Sequence, residues 1–194
     1  MFTRRLPEFL RHAPAPGMHG FALLAGIEAM ARGILVSVMP LAMYRAFRDA
    51  GSVSQIYFVI GIVSLVTGLM VPWLTRAIPR RWMYTIGACC YVIGNSLALV
   101  GGEWMAFAAG FNTVATVVCF VCFNAYVLDY VAKAELGKTE TLRVFYSAAA
   151  WTAGPVLGVW LLDVWRPLPF LVSGVSALVM LAVFWIIRLG PVLK

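Results

Sequence analysis

Acidic residues are scarce in this chain: eight Asp and Glu stand against 15 Lys and Arg, and charged residues of both signs make up only 12% of 194. There is no clustered pair of carboxylates for acid–base work and no Gly-rich phosphate loop. The two histidines, His12 and His19, both fall in the first twenty residues, far in sequence from any nucleophile, which leaves a Ser-His or Cys-His hydrolase without support. Four cysteines lack extracellular spacing, and Cys119-x-x-Cys122 sits deep in an apolar run without a second ligand pair, so neither a disulfide scaffold nor a metal site is expected. The chain is expected not to be an enzyme and to need no cofactor. A charged or low-complexity tail is absent too, which excludes a disordered arm.

What is present is apolar surface. Apolar residues make up 62% of the chain and the mean hydropathy is +0.90, more than a soluble domain of this length can hide, so the expected solvent is a lipid bilayer. Crossing a hydrocarbon core of about 30 Å takes roughly 20 residues of helix. Six runs of that length lie at 20–44, 53–75, 82–101, 104–131, 143–164 and 168–189. Between them "RAFRDAGS", "RAIPRR", "GGE", "AKAELGKTET" and "RPLP" carry Gly, Pro and charge, as turn chemistry requires. The fold class expected is therefore an all-α integral membrane protein: a six-helix bundle over 20–190 behind an uncleaved N-terminal segment, 1–19. Glu28 and Arg32 in the first run argue against a signal peptide there.

Lys and Arg set the orientation. Arg4, Arg5, Arg11, Arg76, Arg80, Arg81, Lys133, Lys138, Arg143, Arg188 and Lys194 fall on one side, against Arg45, Arg48 and Arg166 on the other. The positive-inside rule puts both termini in the cytoplasm of a cell inner or plasma membrane. A basic face against anionic lipid headgroups accounts for the net charge of +7, and no recognition motif points to nucleic acid.

Inside the runs, small residues recur at helical spacing. The stretch "WTAGPVLGVWLLD" (151–163) completes a stripe of Ser147, Ala150, Gly154 and Gly158 with Pro155 in its midst, and the second run carries Gly61, Ser64, Gly68 and Pro72. Such faces let another backbone approach closely, and proline bends the helix locally; ordinary membrane-helix packing accounts for them as well as a functional seam does. Charge in the first run is the other informative feature. Glu28 and Arg32 stand one turn apart and can pair, opposite a small face of Gly26, Gly33 and Ser37. The pair is either a cavity-facing site for a polar substrate or proton coupling, or a self-neutralised orienting element. The fourth run has a polar stripe of Asn112, Thr116, Cys119, Phe123, Tyr126 and Tyr130, suited to an amphiphilic ligand or to interhelical hydrogen bonding. Asn95 and Asn124 read as interhelical contacts, and Asp129 as snorkelling to the interface or pairing with a loop lysine.

"AWTAGPVLGV" resembles the fifth-helix signature of the major facilitator superfamily: Gly154, Pro155 and Gly158 match, and Val159 replaces the usual second glycine. "PWLTRAIPRRW" lies where that family carries its G-x-L-x-D-R-x-G-R-R loop. Leu74, Arg80 and Arg81 match, whereas Pro72, Arg76, Ala77 and Pro79 depart, with Arg76 in the place of the acid thought to help latch the cytoplasmic side. The resemblance covers nearly the whole chain and only the amino-terminal half of a twelve-helix transporter. It implies that helices two and five face a second bundle, so that the 154–158 stripe would slide against a partner. It also implies that helices one and four line a central cavity, with Glu28, Arg32, Asn112, Thr116 and Tyr126 as candidate site residues. The function implied is one bundle of a secondary transporter working by alternating access, paired as a homodimer or with a separate chain. A non-transporting subunit or assembly factor of a larger membrane complex, or a fragment of a twelve-helix protein, is the alternative. The substrate would be a small molecule.

Overall fold

The computed structural model describes residues 18–131 and 135–189. The lead segment up to Gly17, Lys133, Lys194 and the side chains of Tyr130 and Arg188 lie outside the described residues. Six helices follow one another: α1 (Met18–Phe47), α2 (Ala50–Ala77), α3 (Arg80–Val100), α4 (Trp104–Tyr130), α5 (Leu136–Val164) and α6 (Leu168–Leu189). Each is long and apolar enough to cross a membrane. With no water in the hydrocarbon to take up backbone groups, helices that satisfy their own amides are the form such runs must adopt.

The connections are shorter than the sequence suggests. Arg48 and Asp49 join α1 to α2, and Ile78 and Pro79 join α2 to α3. Arg48 takes a left-handed φ of 53°. Asp49 then caps α2, its carboxylate accepting from the Gly51 and Ser52 amides at 3.2 and 2.7 Å and from the Ser52 hydroxyl at 2.6 Å. Those contacts outweigh the turn signal of "DAGS" and start the helix three residues earlier than expected. Gly101 and Gly102, at φ 75° and 61°, supply the left-handed backbone that closes the α3–α4 turn.

The largest departure is at α5. "LGKTET" reads as loop because it is polar, yet α5 starts at Leu136 and carries this stretch as a helical turn and more, with Thr139 and Arg143 buried. Polarity marks where hydrocarbon ends, and a helix can continue past that boundary.

α1 packs chiefly on α5 and α6, α3 on α4 and α6, and α2 on α4. The α1–α5 seam is the closest. A Cβ on Gly154 would stand 2.7 Å from the Gly33 carbonyl carbon, one on Gly33 would stand 3.0 Å from the Ala150 oxygen, and one on Gly158 would overlap the Ile34 carbonyl. The small face of α1 and the small stripe of α5 thus meet each other. This corrects the expectation that residues 154–158 face a second bundle: glycine spacing announces a close backbone neighbour without saying which one.

Away from that seam, aromatic side chains fill the centre. Tyr84 stacks on Phe184 with ring centroids 4.2 Å apart, Tyr126 meets the same ring edge-on at 5.4 Å, and Phe21 packs on Phe123.

Candidate functional site

The i, i+4 spacing of Glu28 and Arg32 puts both on the side of α1 that looks away from its glycine seam. Glu28 is 2% exposed, and its Oε1 has no hydrogen-bond partner. Arg32 Nη2 stands 3.6 Å from that oxygen, longer than a charge-assisted hydrogen bond of about 2.8 Å, so the two are an ion pair across a gap. The guanidinium of Arg32 lies over the Trp151 ring of α5, 5.6 Å from its centroid.

Arg32 and Trp151 form a wall shared by two cavities. One, of about 280 Å³, opens between α1, α2 and α4 and is bordered by Tyr57, Asn112, Thr113 and Thr116. The other, of about 320 Å³, lies between α1, α4 and α5 and is bordered by Glu28, Phe120, Glu140 and Arg143. Glu28, Arg32, Asn112 and Thr116 are thereby brought around one region, as expected of them.

Asn112 and Thr116 are also engaged in the bundle. Asn112 Nδ2 donates to the Ala108 carbonyl at 2.9 Å, while its Oδ1 accepts from Asn95 at 3.4 Å. Thr116 shares a hydrogen bond of 2.7 Å with the Tyr91 hydroxyl and donates to the Asn112 carbonyl. Helix-to-helix bonding and cavity lining coexist at these two residues. Further along α4 the stripe turns inward: Cys119, Phe123 and Tyr126 are core residues, and Tyr126 packs on Phe184 away from both cavities. An α4 stripe sampled at 3.6 residues per turn drifts around the helix over six positions, which is why its two ends meet different neighbours.

Arg143 was not among the expected cavity residues. It is 8% exposed, donates to Glu140 Oε2 at 2.7 Å and to Asn124 Oδ1 at 3.0 Å, and lies 4.6 Å over the Phe123 ring. Extending the small stripe of α5 backwards, from Gly154 through Ala150 and Ser147, lands on Arg143 and then Thr139; Arg143 opens the expected fifth run, where it reads as one of the cytoplasmic-side cations, and Thr139 falls in the expected loop. Trp151, Tyr57 and Tyr91 carried no sequence signal beyond being aromatic.

The remaining candidates lie apart. Arg76 lies in the last turn of α2, and Arg80 and Arg81 begin α3, so the expected loop is mostly helix. Arg80 pairs with Asp129 of α4, giving that acid an arginine partner, where snorkelling to the interface or pairing with a loop lysine was expected. Arg76 and Arg81 are exposed. Gly61 has nothing within 4 Å of a built Cβ, and Gly68 meets Val117 at 3.6 Å. Pro155 lies within α5 and interrupts its amide ladder without ending it.

A bundle of six membrane-length helices, with a buried charge pair facing cavities between α1, α2, α4 and α5, is a transporter-type half bundle in architecture. The profile of the Major Facilitator Superfamily matches residues 21–194, and the chain belongs to that family as a half of about six helices. No curated protein and no solved structure matches it.

Proposed function

We propose that this bundle is one half of a secondary transporter working by alternating access. Its substrate site would be the face where the two cavities meet at Arg32. The observation that carries this reading is the placement of charge: Glu28 and Arg32 sit mid-helix, where ionised groups are costly, and they border cavities instead of pointing to lipid. A second bundle, from another copy or a separate chain, closes over this face along α2 and α5, whose outward sides carry Phe58, Leu65, Leu69, Val156 and Trp160 exposed. The ends that carry Arg76, Arg80, Arg81 and Lys138 lie in the cytoplasm under the positive-inside rule, in the inner or plasma membrane. A small-molecule substrate binds between the bundles.

Alternation is testable without knowing the substrate. A cysteine placed at Thr113, in a chain whose own four cysteines are replaced, should react with membrane-impermeant thiol reagents from both sides of sealed vesicles. Reaction from one face alone sinks the reading. Arg76 in the place of the family's acid favours a second reading, a non-transporting subunit; in that case native mass spectrometry finds the chain held in a larger assembly and Thr113→Cys is shielded from both sides.

A further inference from the structure

The two cavities that meet at Arg32 differ in charge. Glu28 and Glu140 border the larger, with Arg143. Among the described residues no carboxylate borders the smaller one, where Arg32 is the charged group. Its polar positions otherwise carry hydroxyls and an amide, from Tyr57, Tyr91, Asn112, Thr113 and Thr116. Two of its donors are unused: Arg32 Nε and the Tyr57 hydroxyl have no hydrogen-bond partner. A guanidinium and a phenol left without acceptors in a membrane-embedded site each cost free energy until an acceptor arrives.

We infer that this smaller cavity binds a small organic monocarboxylate with an apolar body, its carboxylate on Arg32 and the Tyr57 hydroxyl. The planar guanidinium fork matches a carboxylate in two-point contact, and although Glu28 faces Nη2 at 3.6 Å, Nε has no acceptor within the fold. The apolar body lies against Leu35, Val36, Met39 and Trp151. A volume of about 280 Å³ suits a ligand the size of one substituted ring. Glu28 borders only the other cavity, so it holds Arg32 in place from behind without presenting its own charge to the ligand.

This inference rests on the site proposed above and names its substrate class. The test is calorimetric titration of the full chain in lipid nanodiscs, with empty nanodiscs subtracted, using benzoate, benzylamine and benzyl alcohol. These probes share a ring and differ in charge. Saturable binding of benzoate is expected, with the amine and the alcohol at least about tenfold weaker, the factor that one charge-assisted hydrogen bond supplies. Arg32→Lys keeps the charge beside Glu28 but loses the fork, and should weaken benzoate about tenfold. Tyr57→Phe removes a hydroxyl that bonds nothing in the fold, so its folding is unaffected, and it should weaken benzoate several-fold. No saturable benzoate binding, preference for the amine or alcohol, or unchanged binding in both variants overturns the inference. The transporter reading fails separately, through the two-sided labelling at Thr113→Cys: alternation with benzylamine as the preferred probe keeps transport and discards the anion, whereas benzoate binding without alternation does the reverse.

Discussion

The α1–α5 seam and the α2–α4 side carry the same sequence signature and end up in opposite states. Both α5 and α2 show glycines seven or four residues apart with a proline nearby. At α5 the stripe is pressed on the backbone of α1, so close that a methyl group at Gly154 or Gly158 has no room. At α2 Gly61 faces open space, and between α2 and α4 runs a groove of about 780 Å³ bordered by Val59, Val63, Phe107 and Phe111. A small-residue stripe is thus a permission for close approach, and whether it is used inside the bundle or left on its surface depends on a neighbour the stripe does not encode.

The comparison breaks most sharply at Gly158. Gly158→Leu forces α5 away from Ile34 and should cost about 3 kcal/mol or more, since overpacked seams cannot relax by side-chain motion when the obstruction is backbone. The check is the thermal midpoint of the detergent-extracted chain, and a midpoint equal to the parent's would show that the seam is not closed. Removing the cation beside a buried acid comes next. Arg32→Met should destabilise by about 3 kcal/mol because Glu28 is left uncompensated, and Glu28→Gln should restore most of it in the double variant. A double variant no better than Arg32→Met would deny the pairing.

Gly61→Leu sharpens the other arm: with nothing near its Cβ it should change stability by less than about 0.5 kcal/mol while disrupting association with a second bundle, read by native mass spectrometry. Loss of folding in that variant would erase the contrast between the two stripes. The smallest effect is expected at Asp49. Hydrogen bonds from the Ser52 side chain, then from the Ser52 and Gly51 amides, hold its carboxyl below the usual range. A depressed value means that the cap contributes above the unfolded pKa of about 3.9 and is lost as pH falls through the lower folded value. Hydrogen exchange at the start of α2 should therefore gain protection loss below about pH 4 in the parent and stay flat in Asp49→Asn, whose amide caps without titrating.

Six spans are legible in the chain because apolar runs of membrane length, separated by Gly, Pro and charge, leave one physical solution. The start of α5 is not, because Lys138, Thr139 and Glu140 signal leaving hydrocarbon, and polar residues say nothing about whether the helix ends there. The site was half legible. Glu28 and Arg32 stand out as charges in an apolar run, and Asn112 and Thr116 as polar residues at one spacing; Tyr126 shared that spacing and went to the core, since a helix face that is polar over its whole length can still meet two neighbours. Arg143 and Trp151 needed the fold, because a cation near a helix end and a tryptophan in a membrane are each unremarkable until a cavity is found between them.

Arg32 and Trp151 border both cavities, the guanidinium of one lying over the ring of the other. Helix movements in a bundle take microseconds or longer, whereas a side chain with room to turn changes rotamer within nanoseconds. A turn of Arg32 away from Trp151 would thus be over before any helix has shifted; it would redraw the border between the two chambers, while the acid-bordered lining of one and the acid-free lining of the other stay where the helices hold them.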